Sequence, residues 1–185
     1  MTHRTLVLGG ARSGKSGYAE GLLPGTAPVI YVATARRDRA DTEWEARIAR
    51  HIERRPNVWQ TVEPEPETLA EVIATATEDQ LLLVDDLATW LTGVLDLTRA
   101  WEGGPGKAGR LVDGLVDGLV GAVAGCAARL VLVSAEVGLG VVPETRSGRL
   151  FRDELGDCNA RLAQVCDEVL LLVAGIPVPL DSPRR

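Results

Sequence analysis

The 185-residue sequence has few cysteines, no long uncharged apolar run and no excess of positive charge. Cys126, Cys158 and Cys166 are an odd number of cysteines without a C-x-x-C pair. This pattern argues against a disulfide framework or a zinc site and favours reduced, buried thiols. The longest uncharged stretch of the apolar second half, Gly118 to Ala128, is shorter than the roughly 20 residues that cross a bilayer. We therefore expect no membrane insertion.

Negative charge prevails along the chain, with a formal net charge of -6 and a pI near 5.0. Nucleic acids and anionic membranes attract surfaces with an excess of cations, so neither is an expected partner. Any phosphate binding must therefore come from a local group of residues and not from the overall charge of the chain. The segment Met1 to Arg4 leads into a short apolar stretch without the long apolar region of a signal peptide, so a cytoplasmic protein is expected.

Length and composition predict a single domain over residues 1–185. Short β-rich runs with apolar residues at successive positions predict strands at Thr5–Leu8, Val29–Ala33, Val58–Val62, Leu81–Val84, Leu130–Ser134 and Val169–Val173. Helical segments are predicted between them at Ser16–Leu23, Thr42–Glu53, Glu67–Thr77, Leu87–Leu95, Arg110–Ala127 and Gly148–Val165. This alternation predicts an α/β fold with a mainly parallel sheet.

Three segments interrupt the alternation of strands and helices. Ala35–Asp41 and the glycine-rich Trp101–Gly109 are predicted to be surface loops. The tail Pro177–Arg185 contains three prolines and is predicted to be ordered at first and frayed at its end.

The first predicted strand runs directly into a phosphate-binding motif. The residues Gly9, Gly10, Ala11, Arg12, Ser13, Gly14, Lys15 and Ser16 match G-x-x-x-x-G-K-[ST] and lie between a strand and a helix. In this motif, backbone N–H groups surround the phosphates, Lys15 contacts the β- and γ-phosphates, and the Ser16 hydroxyl joins the Mg²⁺ shell. The sequence therefore predicts a P-loop that binds a nucleoside triphosphate.

Two carboxylates follow the apolar run Leu81–Val84. P-loop chemistry requires an acid at the end of a buried strand to hold Mg²⁺ near the phosphates, and Asp85 is predicted to be that acid. The alternative is that these carboxylates cap the helix beginning near Leu87, a role that suits Asp86.

His51 lies on a predicted helix with Arg47, Arg54 and Arg55, at spacings that place all four side chains on one face. A single helical histidine is usually only a solvated side chain. Here the neighbouring positive charges favour the neutral, nucleophilic imidazole, and the arginines could receive the phosphates of a nucleotide.

Several segments resemble the bifunctional adenosylcobinamide kinase / adenosylcobinamide-phosphate guanylyltransferase family. The resemblance covers nearly the whole chain in order. It rests on the P-loop, Tyr31–Thr34, Arg47–His51, Trp59–Glu63, Glu136–Glu144, Phe151–Asp153, Asn159, Ala163 and Asp167–Val169.

This resemblance implies a P-loop NTPase-type, RecA-like three-layer fold and a homotrimer. It implies that the chain phosphorylates adenosylcobinamide with ATP or GTP and then transfers GMP from GTP through a GMP-histidine intermediate, which places the nucleophile at His51. Catalysis would use His51, Lys15 and Asp85, with Mg²⁺ held by Ser16 and Asp85. Nucleotide contacts would come from the P-loop, Ala33, Thr34, Ala35, Ile52, Glu53, Arg54, Arg55, Glu63 and Asp85.

The sequence departs from the family at two positions. Members of the family carry glutamate at the position of Asp85 and can carry a second histidine at the position of Arg50.

The loop Glu136–Glu144 follows a predicted strand and could either contact the corrinoid or merely turn the chain. A small-molecule kinase without guanylyl transfer is the nearest alternative. A nucleotide-dependent switch is disfavoured because the chain has no Asn-Lys-x-Asp motif.

Overall fold

The computed structural model describes residues 2–36, 40–53, 55–102 and 106–180. Within its helices, the side chains at positions 44, 47, 50, 51 and 107 are outside that description. The predicted loops Ala35–Asp41 and Trp101–Gly109 therefore lie partly outside the described residues.

One continuous sheet runs through the described part of the chain. Its strands are β1 (Arg4–Gly9), β2 (Ile30–Ala33), β3 (Gln60–Val62), β4 (Leu81–Asp85), β5 (Arg129–Ala135), β6 (Glu168–Val173) and β7 (Ile176–Pro179). They follow the order β3-β2-β4-β5-β1-β6-β7, and every neighbouring pair is parallel except β6 and β7. The predicted α/β class with a mainly parallel sheet is confirmed.

The described helices are α1 (Lys15–Gly21), α2 (Thr42–Glu53), α3 (Leu69–Ala74), α4 (Leu87–Thr98), α5 (Lys107–Gly125) and α6 (Arg146–Val165). The buried face of α3, α4, α5 and α6 packs against one side of the sheet, where Leu6 and Leu8 point. α1 packs against the other side, where Val7 points. Because successive side chains of a strand alternate between faces, the central strands are covered on both. The three predicted layers are present.

β5 lies between β1 and β4. The strand that ends in the P-loop and the strand that ends in Asp85 are therefore separated by one strand.

The repeated Leu-Val-Asp-Gly pattern falls within α5. Val112, Val116, Leu119 and Val123 are buried at spacings of four, three and four residues, so one face of the helix packs against the core. A Cβ added at Gly114 or Gly118 would meet nothing within 4 Å. We find no packing reason for these two glycines.

β7 was missed by the sequence prediction, which treated the prolines as part of a tail. Pro177 and Pro179 pair with Leu172 and Leu170 on β6. An edge strand tolerates proline because one of its sides needs no N–H donors. Residues 181–185 lie outside the described residues. None of the described helices is long and apolar enough to cross a membrane.

Candidate active site

The carboxyl ends of the central strands bring the predicted site residues to one edge of the sheet. Gly9 at the end of β1 pairs with Ala135 on β5, and Ala33 at the end of β2 pairs with Asp85 on β4. Ligands of open α/β sheets bind at this edge, outside the carboxyl ends of the strands.

The P-loop turns tightly between β1 and α1. Arg12 and Gly14 have positive φ angles of 58° and 87°, and the Ser13 N–H donates to the Gly10 carbonyl at 3.3 Å. A Cβ on Gly9 would clash with Ser13 Oγ and would lie 3.1 Å from the Leu172 carbonyl oxygen. Glycine at position 9 is therefore a steric requirement, and glycine at position 14 suits the left-handed backbone.

The Ser13 hydroxyl is a buried polar group inside the P-loop. Ser13 is 8% exposed, and its Oγ has no hydrogen-bond partner among the described residues. Buried hydroxyls are normally hydrogen-bonded, because leaving one unpaired costs about 1–3 kcal/mol. A phosphate oxygen in the loop would supply the missing partner.

Ser16 and Asp85 come together although they are 69 residues apart in the chain. Ser16 Oγ donates to Asp85 Oδ1 at 3.0 Å. Hydroxyl and carboxylate oxygens beside a phosphate loop form the donor set that Mg²⁺ prefers, so these two residues fit the predicted ion. Among the described residues, no group of three or more His, Cys, Asp or Glu side chains could hold a metal by itself, so phosphate and water oxygens would complete the shell.

Asp86 caps α4, as the sequence allowed. Its Oδ1 accepts from the Thr89 N–H at 2.8 Å, and its carbonyl accepts from the Thr34 hydroxyl at 2.6 Å. Burial, and next the nearby charge of Asp85, raise the pKa of Asp86. The two adjacent carboxylates therefore have different surroundings, and Asp85 is the one bonded to the P-loop serine.

Tyr31 is a neighbour of Asp85 for which the sequence predicts no role in the site. It is 1% exposed, and its hydroxyl donates to Asp85 Oδ2 at 2.5 Å. Burial, and next the charge of Asp85, raise the pKa of Tyr31, which keeps the hydroxyl protonated as a donor. The pairing of β2 with β4 creates this contact, and no local sequence signal reports which strands are neighbours.

Arg55 lies over the ring of Tyr31. Its guanidinium carbon is 3.4 Å from the ring centroid, and Nη1 donates to Thr61 Oγ1 at 3.1 Å. The resemblance had assigned Arg55 to nucleotide contact. The contacts observed here are with Tyr31 and Thr61, whereas the neighbouring Arg54 lies outside the described residues.

His51 lies in α2, whose bounds match the predicted helix Thr42–Glu53. The side chains of His51 and Arg47 are outside what the structure describes, so the shared helix face remains a prediction. Ile52 and Glu53 are exposed at the end of the helix.

The remaining predicted nucleotide contacts follow β2 and β3. Ala33, Thr34 and Ala35 are half-buried at the end of β2, and Glu63 is exposed directly after β3. Because β3 pairs with β2, both segments leave the same sheet edge. Their contact with a nucleotide remains a prediction.

The loop Glu136–Glu144 leaves β5 beside the P-loop, because the Glu136 N–H donates to the Gly9 carbonyl at 3.1 Å. Two arginines of α6 hold its backbone. Arg152 donates to the Gly138 carbonyl at 2.7 Å, and Arg149 donates to the carbonyls of Pro143 and Glu144 at 3.0 and 2.6 Å.

This loop presents aliphatic side chains to solvent. Leu139, Val141 and Val142 are 82%, 95% and 62% exposed. Neighbouring exposed apolar residues that border a site usually mark a binding surface.

Comparisons with known proteins agree on one family. The model of the family described as cobinamide kinase / cobinamide phosphate guanyltransferase (CobU) matches residues 5–180. The bifunctional adenosylcobalamin biosynthesis protein CobU of Salmonella typhimurium is 39% identical over 95% of this chain and 98% of its own length. The corresponding protein CobP of Pseudomonas aeruginosa is 41% identical over 97% of this chain and 98% of its own length.

Among solved structures, an ATPase from the type III secretion system of pathogenic bacteria aligns with 92% of this chain and 51% of its own, with a TM-score of 0.48 and 18% identity. The family match and the two relatives extend over nearly the whole sequence, from the P-loop strand to the end of β7. The chain belongs to the cobinamide kinase / cobinamide phosphate guanyltransferase family.

Proposed function

We propose that this chain phosphorylates adenosylcobinamide with ATP or GTP and then transfers GMP from GTP to the new phosphate, giving adenosylcobinamide-GDP. Membership of the family supports both activities. The observation that carries the proposal is the 3.0 Å bond between Ser16 and Asp85 next to the P-loop, since it joins the two groups on which phosphoryl transfer depends. We further propose that residues 1–185 act as one catalytic domain.

In the kinase reaction, the corrinoid hydroxyl oxygen attacks the γ-phosphorus and loses its proton, the bond from that phosphorus to the β–γ bridging oxygen breaks, and the nucleoside diphosphate leaves. Backbone N–H groups of the P-loop and the first turn of α1 hold the phosphates, with Lys15 at the β- and γ-phosphates. Ser13 Oγ is available to a phosphate oxygen. Mg²⁺, held by Ser16 and Asp85, would supply charge neutralisation across the phosphates when bound.

In the transfer reaction, an imidazole nitrogen of His51 attacks the α-phosphorus of GTP. A phosphorus–nitrogen bond forms and pyrophosphate leaves. An oxygen of the corrinoid phosphate then attacks the same phosphorus, the phosphorus–nitrogen bond breaks, and the imidazole is regenerated. Placement of His51 in α2, four residues before Arg55, supports this role because Arg55 packs on the ring that bonds Asp85.

The corrinoid is proposed to contact the loop Glu136–Glu144. This loop starts beside the P-loop, where the Glu136 N–H donates to the Gly9 carbonyl, and it carries the exposed side chains of Leu139 and Val141. A large ring system with apolar edges would cover such side chains while placing its hydroxyl near the γ-phosphate.

The finer properties of the protein are also proposals. The family resemblance supports a homotrimer, and the three cysteines without a C-x-x-C pair support a reducing, cytoplasmic location. Analytical ultracentrifugation at micromolar concentration tests the assembly, and a fully active monomer would contradict it.

The proposed function is tested at His51. The protein is incubated with α-labelled GTP and Mg²⁺, and its mass is measured by mass spectrometry. We expect a covalent GMP adduct that is labile in acid and stable in base, as a phosphoramidate is. The His51→Ala variant should lose this adduct and guanylyl transfer but keep kinase activity, because γ-phosphoryl transfer needs no histidine nucleophile. Retained protein-bound GMP in that variant would rule out His51.

The alternative is a small-molecule kinase without guanylyl transfer. It is favoured by the fact that the P-loop, Ser16 and Asp85 suffice for phosphorylation. Wild-type protein that phosphorylates adenosylcobinamide but never acquires GMP would establish this alternative.

A further inference from the structure

Both oxygens of the Asp85 carboxylate are engaged, each by a different element. Ser16 at the start of α1 donates to Oδ1 at 3.0 Å, and Tyr31 on β2 donates to Oδ2 at 2.5 Å. A carboxylate bonded at only one oxygen could rotate, whereas two donors on opposite oxygens fix its plane. The Tyr31 hydroxyl therefore decides which oxygen faces Ser16 and the phosphate loop.

The ring of Tyr31 contacts side chains that follow helix α2. The Arg55 guanidinium lies 3.4 Å from the ring centroid, and its Nη1 donates to Thr61 on β3. Trp59 borders the same ring, with centroids 6.4 Å apart. A cation over an aromatic face is attracted to the ring, and more strongly where water is excluded.

Arg55 also connects the ring to the segment that follows α2. Its N–H donates to the Ile52 carbonyl at 3.1 Å, and α2 ends at Glu53. The helix that carries His51 is therefore joined to the Asp85 carboxylate through two side chains, Arg55 and Tyr31.

We propose that Tyr31 is a positioning residue that orients Asp85 for the metal–phosphate site, and that Arg55 links this carboxylate to the end of the His51 helix. The proposal rests on the proposed function for its reactions. It adds a physical connection between the residues of kinase chemistry and those of guanylyl transfer. Tyr31 itself touches no reacting atom.

A hydrogen bond to a charged group is worth roughly 1.5–3 kcal/mol, which corresponds to about 10-fold or more in an equilibrium constant. Removing the Tyr31 hydroxyl should therefore weaken metal binding in the presence of nucleotide by about 10-fold. Removing Arg55 leaves the Tyr31 hydroxyl in place but frees the ring. Metal binding should therefore weaken by only about 3-fold.

The first experiment measures Mn²⁺ binding to the full chain by electron paramagnetic resonance, without corrinoid and with a GTP analogue whose α- and β-phosphates are joined by a methylene group, so that no GMP can be transferred to the protein. Tyr31→Phe keeps the ring and removes the hydroxyl. The matched control is Tyr18→Phe, because Tyr18 packs against the same apolar cluster and its hydroxyl makes no hydrogen bond with the described residues. We expect weaker Mn²⁺ binding in Tyr31→Phe and wild-type binding in Tyr18→Phe. Wild-type Mn²⁺ affinity in Tyr31→Phe overturns the proposal.

The second experiment separates positioning from general loss of structure. In an Asp85→Asn background, the further change Tyr31→Phe should have no additional effect on Mn²⁺ affinity, because the carboxylate that the hydroxyl orients is gone. An equal effect in both backgrounds would show that Tyr31 acts through the fold and would contradict the proposal.

The third experiment tests the link through Arg55. Arg55→Gln should weaken Mn²⁺ binding in the wild-type background and add nothing in the Tyr31→Phe background. Additive effects would show that Arg55 acts independently of Tyr31 and would overturn the link. These measurements involve neither corrinoid nor covalent GMP. A protein that never forms the GMP adduct would therefore refute the proposed function without affecting the assignment of Tyr31.

Discussion

Asn159 on α6 holds the end of β5 through Ser134. The Ser134 hydroxyl donates to Asn159 Oδ1 at 2.6 Å, and Asn159 Nδ2 donates to the Ala135 carbonyl at 3.0 Å. Ser134 is fully buried and Asn159 is 5% exposed. This polar contact therefore fixes the position from which the loop Glu136–Glu144 departs.

The Asn159→Ala variant should lose about 1–3 kcal/mol in the free energy of unfolding, because the buried Ser134 hydroxyl is left without its acceptor. Urea denaturation measures this loss. Adding Ser134→Ala to this variant should restore part of the lost free energy of unfolding, since no unpaired hydroxyl then remains. Fully additive losses would show that the two side chains do not depend on each other.

The Lys15→Ala variant should lose kinase turnover while keeping its fold, because Lys15 begins α1 at the phosphate loop and is not a core residue. Removal of a group that stabilises transition-state charge typically costs at least 100-fold in rate. Phosphorylation of adenosylcobinamide is measured alongside circular dichroism and melting temperature. Near wild-type turnover would contradict the P-loop assignment.

The adjacent carboxylates should respond differently to amide substitution. Asp85→Asn removes charge from the proposed metal site and should reduce Mg²⁺-dependent activity about 100-fold. Asp86→Asn should have little effect on activity, because asparagine can still cap α4 through its side-chain oxygen. Steady-state kinetics across a Mg²⁺ titration measure both variants. A larger loss of Mg²⁺-dependent activity in Asp86→Asn than in Asp85→Asn would assign the metal role to Asp86.

The combined Leu139→Ser and Val141→Ser variant should raise the KM for adenosylcobinamide by about 10-fold and leave GTP binding unchanged. The reason is the loss of apolar contact area for the corrinoid. Both side chains are exposed, so stability should change by no more than about 0.5 kcal/mol. An unchanged KM together with altered sedimentation would assign the loop to a subunit contact instead.

The ion pair of Arg4 with Asp167 should make stability depend on pH. Hydrogen bonds from Arg4 lower the pKa of Asp167. A lowered folded-state pKa contributes stability above the unfolded value of about 3.9, and this contribution disappears as pH falls through the folded-state value. Asp167→Asn should therefore lower the melting temperature at pH 7, by an amount corresponding to about 1 kcal/mol or less for a partly exposed pair. Near pH 2 the two proteins should have the same melting temperature. A difference in melting temperature that does not change with pH would show that the ion pair is not its cause.

The parts of the site that the sequence predicted are those encoded locally. The P-loop is eight consecutive residues, and Asp85 directly follows an apolar run. The bond between Ser16 and Asp85 then follows because parallel strands place their carboxyl ends at one edge.

The parts that the sequence could not predict depend on which strands become neighbours. Tyr31 meets Asp85 across 54 residues only because β2 pairs with β4. β7 was missed because its prolines suit an edge strand as well as a tail, and only the partner β6 distinguishes the two. The role of Arg55 similarly requires the position of the Tyr31 ring.

The position of β1 in the sheet has a consequence for the synthesis of the protein. Both neighbours of β1, β5 and β6, come from residues 129–173, so the P-loop strand is made long before either of its partners. The turn after β6 also approaches the loop, since a Cβ on Gly14 would lie 3.9 Å from Gly175 Cα. A nascent chain therefore lacks a formed nucleotide site until β5 and β6 have left the ribosome. Nucleotide binding thus reports that β1 has paired with β5 and β6, and such long-range pairing slows folding.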